Sequence, residues 1–320
     1  IFAGLFWMVM AVWLAVSLFW SLGSVNAVFA LMSHGGSLVL QHDFEAGEAL
    51  RLIEGERCTV IYAMPTMTLA LAEHPERPTR DLTSLRTGVT IGTPEQIRRL
   101  VDLGASEICN VYGLTEAYGN SAVTDAHDPL AVRLATCGRP LDGVTLKIVD
   151  PESGEPVAPG GIGQIALKGH LMPGYLDDPV RTAEAFDGEG FLLTGDLGLV
   201  DPEGRLIFRG RLKELVKTGG INVAPAEVEE VLAQHPAVES AFVTGVPDAK
   251  LDEAVAAAIV LNPGMTATPE DLTALCRAAL AAYKRPRHFR FVRASDLPLT
   301  TTGKLQRSRL FELFRRDGEG

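Results

Sequence analysis

Between Gly35 and Gly113, apolar runs of strand length alternate with runs of helical period, and this alternation constrains the fold more than any other property of the chain. SLVLQ (Ser37 to Gln41) reads as a strand, FEAGEALRLIEGE as a helix turning Leu50, Leu52 and Ile53 inward, and CTVIYAMP as a buried strand stopped by Pro65. A helix is expected at TMTLALAEH, a strand at LRTGVTI, a helix at PEQIRRLVDLG and a strand at EICNVYG. Each strand must return across a face of the sheet before the next begins, so a mainly parallel, doubly wound α/β sheet follows.

From Gly138 to Arg211 the period changes. VTLKIVD, GQIALKG, FLLTGDLGLV and RLIFRGR alternate in short runs separated by turns such as DPESGE and DPEGR, which predicts a small antiparallel, barrel-like β module. Beyond it, VESAFVTGV and EAVAAAIVL read as strands. TPEDLTALCRAALAAY reads as a helix capped by Thr268, with Leu272, Leu275, Cys276, Ala279 and Leu280 on one face. A strand HFRFVR and a terminal helix from about Leu305 to Arg316 complete a small α/β unit. The stretch RGRLKELVKTGGINVAPAEVEEV (Arg209 to Val231) joins these bodies: a basic cluster, a Gly219–Gly220 turn, then a helix start at Pro225 with Glu227 in its first turn. The expected division is 1–138, 139–210 and 211–320, the last being a mobile domain.

No Asp, Glu, Lys or Arg precedes Asp43, and IFAGLFWMVMAVWLAVSLFW is long enough to be weighed as a membrane span. Residues 1–32 are very apolar, but no basic flank accompanies them and the run passes through Ser17, Ser21, Ser24 and Asn26 into helix-like and strand-like sequence, so a membrane role is disfavoured. SHGGS (Ser33 to Ser37) should close a helix and open a strand. The chain has no initiator Met, as a fragment would, and its apolar start is expected to promote aggregation. A net charge of −11 argues against a nucleic-acid surface. The four cysteines (Cys58, Cys109, Cys137, Cys276) form no CxxC or His/Cys cluster, so reduced core thiols and a cytoplasmic setting are expected rather than a zinc site or disulfides.

Three stretches could carry chemistry. VYGLTE (Val111 to Glu116) ends a strand of the parallel sheet, where ligand crevices form. There Tyr112 can stack on a base, Gly113 admits close backbone approach, Thr115 can bond a phosphate oxygen and Glu116 can hold Mg²⁺. A strand end with a capping Thr accounts for the same residues. In LLTGDLG, Asp196 can accept two ribose hydroxyls, or can bond its own turn. In PLTTTGKLQR, Lys304 can meet a developing phosphate charge, or can simply open the last helix in solvent. The first lysine of the chain is Lys147, so the parallel-sheet region contains no P-loop.

Taken together and in order, NVYGLTE, GRPLDG, LLTGDLG, GRLKELVKTGGINVAPAEVE and PLTTTGKLQR resemble the adenylate-forming (AMP-binding) superfamily of acyl-CoA synthetases, luciferases and nonribosomal adenylation domains, over everything after roughly Val12. The resemblance implies ATP/AMP, Mg²⁺ and CoA as cofactors, and a small carboxylic acid as substrate. It implies Tyr112 on adenine beside Gly92 and Thr93, Thr115 at the α-phosphate, Glu116 on the metal, and Asp196 with Arg211 on the ribose. Lys304 would be the catalytic lysine, Lys213 the hinge, and the Gly219–Gly220 turn would face the pantetheine tunnel. Trp20 would line the acyl pocket. A homodimer is compatible with this pattern.

The implied reaction is acid-thiol ligation: adenylation with release of pyrophosphate, then thioester formation after the last domain rotates. A homologue that binds adenylate without catalysis, or one that loads a carrier protein, are the alternatives. The family's glycine-rich phosphate loop does not precede these motifs in this chain, and Gln164 stands where the family has the Glu of its GEI motif. The expectation is therefore the C-terminal portion of a ligase, or a truncated homologue, that keeps most of its fold and is impaired in adenylation.

Overall fold

A computed structural model describes residues 10–299 and 305–315. The chain opens with β1 (Ala11–Leu14), a π-helical stretch at Leu22–Phe29 that continues into α1 (Ala30–His34), β2 (Ser37–Leu40), α2 (Ala46–Gly55) and β3 (Val60–Tyr62). There follow α3 (Pro65–Glu73), β4 (Thr87–Thr90), α4 (Pro94–Asp102), β5 (Glu107–Leu114), β6 (Gly119–Val123), α5 (Leu130–Ala135) and β7 (Arg139–Pro140). Together the strands make a sheet in the order β2-β1-β3-β4-β5-β6-β7. Pairing is parallel from β2 through β5 and antiparallel at β5–β6 and β6–β7.

Alternate residues of these strands enter different cores. Trp13, Ile61 and Ile108 join Leu50 and Ile53 of α2, Leu71 of α3, and Ile97 and Leu100 of α4 on one face. Val12, Leu14 and Val60 meet Ala27 and Leu31 on the other. Because β1 is covered on both sides, all four of its residues are buried, which explains an apolar run without alternation. The apolar start thus supplies a strand of this sheet, and among the described residues no helix is long and apolar enough to cross a membrane. Val25, Phe29 and Met32 lie exposed on the helical stretch that follows. Gly35 closes α1 in the left-handed region at φ 69°, and Ser37 opens β2, as SHGGS predicts.

A second sheet, in the order β11-β10-β9-β8, uses β8 (Thr145–Val149), β9 (Gly163–Lys168), β10 (Leu192–Val200) and β11 (Leu206–Arg211), with α6 (Pro179–Ala185) between β9 and β10. β8 and β9 pair antiparallel. The third sheet contains β12 (Val216–Thr218), β13 (Ile221–Val223), β14 (Val238–Asp248), β15 (Asp252–Leu261) and β16 (His288–Phe291). Its helices are α7 (Pro225–Leu232) and α8 (Pro269–Ala279). The chain divides into two compact units, 1–194 with 198–208, and 195–197 with 209–320.

Three local expectations change. Pro65 opens α3 at its first position instead of stopping β3, which already ends at Tyr62. Ala279 is exposed, since α8 ends there and Leu280 turns inward from an extended residue. The expected terminal helix starts at Arg307 instead of Leu305 and winds as a 3₁₀-helix over Arg307–Phe314. Three residues per turn align Phe311 with Phe314, and both pack on Val246, Ala254 and Ala256.

Leu50 is fully buried in the same cluster as Trp13. Leu50→Ala should destabilise the first unit by about 2–5 kcal/mol, the range for large-to-small core changes. Tryptophan fluorescence in urea reads this unit alone, because the three tryptophans all precede Ser21.

Candidate adenylate site

The parallel pairing of β4 with β5 sets Thr90 beside Asn110, so the segments leaving both strands emerge at the same edge. From β4 come Gly92 and Thr93. Thr93 caps α4 in a reciprocal capping box: its backbone N–H donates to Gln96 Oε1 at 2.9 Å and its hydroxyl accepts from Gln96 N at 3.4 Å. A side chain at Gly92 would meet Gln96 Oε1 at 2.5 Å, so the loop closes tightly over the helix start.

From β5 come Tyr112, Gly113, Thr115 and Glu116. Tyr112 is 6% exposed, with the Phe208 ring 6.0 Å away and tilted by 32°. Gly113 sits where β5 and β6 cross most closely: a Cβ there would lie 1.6 Å from Gly119 O and 2.8 Å from Asn120 Cα. Glycine is the residue that this crossing tolerates. Thr115 begins a 3₁₀ turn (Thr115–Ala117) and is exposed. That turn ends on Tyr118, in the left-handed region at φ 54°.

Glu116 is half-buried and held twice. Tyr175 donates its hydroxyl to Glu116 Oε1 at 3.0 Å, and Met172 N donates to the Glu116 carbonyl at 2.8 Å. Burial, then the Glu116 hydrogen bond, raises the Tyr175 pKa, so the phenol stays a donor. One carboxylate oxygen is thereby oriented. Among the described residues no group of three or more His, Cys, Asp or Glu could cage a metal. A single fixed carboxylate suits Mg²⁺, which keeps waters and takes its other oxygens from phosphates.

Asp196, Arg211, Lys213, Gly219 and Gly220 lie in the second unit. Asp196 is 6% exposed, and Arg211 Nε lies 3.1 Å from its Oδ1. A buried carboxylate needs such a partner, and the pairing fixes where its oxygens can accept hydroxyls. Lys213 is exposed in a 3₁₀ turn (Leu212–Glu214). Gly219 and Gly220 form the two-residue turn between β12 and β13 at φ 58° and 77°, the positive values that a type I′ hairpin needs. Gly219 N donates to Leu251 O at 2.8 Å, which ties the turn to the start of β15. Trp20 is half-buried among Leu22, Tyr62, Met64 and Met67. Lys304 lies outside the described residues.

Two side chains to which the sequence reading gives no role make long-range contacts, one in each unit. Tyr175 reaches Glu116 across 59 positions, a contact no local spacing signals. Arg307 donates two hydrogen bonds to Glu229, at 2.7 and 2.9 Å, and its Nε lies 3.4 Å from Glu214, next to Lys213. Burial opposes the Arg307 charge, but Glu229 more than offsets it and the pKa rises. The GKLQR motif contains Arg307, yet nothing in it identifies the two acids.

Gly113→Ala should prise β5 from β6. Hydrogen exchange should show the amides of Leu114 and Asn120 losing protection, while those of β14 and β15 keep theirs.

Comparison with known proteins accords with this geometry. The profile of the family described as AMP-binding enzyme matches residues 5–176, and that of the AMP-binding enzyme C-terminal domain matches residues 227–304. YngI of Bacillus subtilis (strain 168), named as an acyl-CoA synthetase, is 38% identical over 302 residues, covering 93% of this chain and 55% of YngI. The mitochondrial medium-chain acyl-CoA ligase ACSF2 of Mus musculus is 35% identical, over 92% of this chain and 49% of its own. Among solved structures, ATP-bound MatB from Rhodopseudomonas palustris superposes with a TM-score of 0.85 at 29% identity, covering 96% of this chain and 60% of its own. The amide bond synthetase McbA from Marinactinospora thermotolerans gives 0.84 at 34%, covering 95% and 62%. The chain spans about half the length of the curated relatives it matches. On these matches, and on the fold that carries them, the chain belongs to the AMP-binding enzyme family.

Proposed function

We propose that this chain acts as an ATP-dependent acyl-CoA ligase. The observation that carries the reading is the pair of fixed carboxylates: Glu116, oriented by Tyr175, and buried Asp196, paired with Arg211. One acid can hold the metal on a nucleotide's phosphates, and another can accept its ribose hydroxyls. The relatives named as CoA ligases support CoA as the acceptor.

In this reading Tyr112 and Gly113 form the wall on which adenine lies, with Gly92 and Thr93 beside it. Thr115 binds the α-phosphate, and Asp196 accepts the ribose hydroxyls while Arg211 holds it in place. Mg²⁺, when bound at Glu116, neutralises phosphate charge. A carboxylate oxygen of the acid attacks the α-phosphorus in line, the α–β bridging P–O bond breaks and pyrophosphate leaves, with Lys304 stabilising the developing charge. The CoA thiolate then attacks the acyl carbon, a C–S bond forms, and AMP leaves with the electrons of the broken C–O bond. Lys213 is the pivot between these steps, and the Gly219–Gly220 hairpin is the surface brought to the pantetheine arm.

The second half-reaction tests this without the need for an ATP phosphate cradle. Given preformed octanoyl-adenylate and CoA, the chain should release octanoyl-CoA and AMP well above the uncatalysed rate, followed by mass spectrometry. Lys213→Pro should cut that rate about a hundredfold, the scale of losing a conformational step that assembles a site, while leaving AMP binding unchanged. Binding of the adenylate with no thioester formed would favour a non-catalytic homologue.

A further inference from the structure

The residues around Gly113 bring a polar pair to the end of β5 that no motif contains. Asn26, in the helical stretch after β1, donates through Nδ2 to Asn120 Oδ1 at 3.2 Å, across 94 positions. Asn120 is the ladder partner of Gly113, and its Cα would lie 2.8 Å from a Cβ there. A Cβ on Gly119 would meet Ser21 Cβ at 3.4 Å, its Oγ at 3.7 Å and Asn26 Nδ2 at 3.8 Å, so the two segments close on each other here. The chain thus spans the carboxyl ends of β3 and β4, from the segment after β1 to the start of β6. Trp20 and Leu22 of that segment, with Tyr62, Met64 and Met67 from the carboxyl end of β3 and the start of α3, are partly buried against one apolar cluster.

Asn26 and Asn120 are both half-buried, and their mutual bond uses one donor of Asn26 and the carbonyl oxygen of Asn120. Asn26 Oδ1 remains as an acceptor and Asn120 Nδ2 as a donor. A neutral pair that offers one of each matches a hydroxyl, which both donates and accepts, or a ketone that takes the Asn120 donor. A second carboxylate would want a cation.

We propose that the Asn26–Asn120 pair is the specificity element of the acyl site, and that the acid accepted carries a hydroxyl or keto group on its hydrocarbon chain or ring. This rests on the ligase reading and names its substrate class. An amide pair beside partly buried apolar side chains discriminates by what it leaves unsatisfied: a plain alkyl chain that covers it strips its water and returns no hydrogen bond.

Calorimetric titration of the 320-residue chain with non-hydrolysable acyl-sulfamoyl adenosines tests it. The probes are the octanoyl compound, its monohydroxy and mono-oxo isomers, and sulfamoyl adenosine without an acyl group. At least one hydroxy or oxo isomer should bind about tenfold more tightly than the octanoyl parent, the scale of one well-made hydrogen bond plus the relief of a stranded amide. Asn120→Leu, close in shape, should erase that preference by tightening the parent and weakening the isomer. Asn26→Leu approaches the pair from the other segment and should do the same if Asn120→Leu does not fold. Equal binding of all acyl probes by the native chain, or a preference that survives both substitutions, overturns the inference and leaves the ligase reading intact. No binding of any probe, sulfamoyl adenosine included, overturns the ligase reading and the inference with it.

Discussion

Parallel pairing governs the first unit. Strands β1, β3, β4 and β5 run side by side in one direction, so every connection must return across a face of the sheet and every strand delivers its last residue to the same edge. That constraint gathers Trp20, Gly92, Thr93 and the Tyr112–Glu116 segment without any of them being near in sequence. It also demands burial on two faces, which is why β1 is apolar throughout and why the start of the chain reads like a membrane span. The reversal at β5–β6 completes the edge. There the backbones come so close at Gly113 and Gly119 that the turn between them, carrying Thr115 and Glu116, is held by the sheet itself.

Charge organises the second unit differently. Asp196 and Glu229 are each almost out of water, and each has an arginine, Arg211 and Arg307 respectively. Removing one partner of such a pair strands a charge in a poorly solvated place, so these residues are bound to each other's presence. Arg307 also reaches Glu214, which places the Leu212–Glu214 turn, α7 and the last helical segment in one ionic network. A hinge at Lys213 would move next to a fixed point rather than within a loose linker. The hairpin at Gly219–Gly220 is anchored in the same unit, through Leu251 and through Glu253, which accepts from Lys217 N at 2.8 Å.

Much of this was readable in the sequence, and what was not has a physical reason. Periodicity marks β2 to β5 and α2 to α4 because each element buries a face with its own period. The Thr268 cap of α8 is local chemistry, with Asp271 three residues on closing the box. The type of the last helix depends on Phe311 and Phe314 stacking on a sheet far earlier in the chain, and Ala279 faces solvent because α8 ends a residue sooner than its apolar pattern. In the same way, VYGLTE and GDLG draw the eye to Glu116 and Asp196, whereas the contacts Tyr175–Glu116, Phe208–Tyr112 and Asn26–Asn120 arise only through folding. Motifs single out candidate groups by local sequence; the residues that aim them come from wherever the topology brings a side chain near.

In the proposed site Asp196 accepts the ribose hydroxyls and Arg211 holds it in position. The most direct measurement is calorimetric binding of AMP against 2′,3′-dideoxy-AMP to the native chain and to Asp196→Asn. AMP should bind at one site about tenfold or more tightly than the dideoxy compound, as expected for hydrogen bonds to a charged acceptor, and Asp196→Asn should remove most of the difference. Equal affinity of the native chain for the two nucleotides would contradict it.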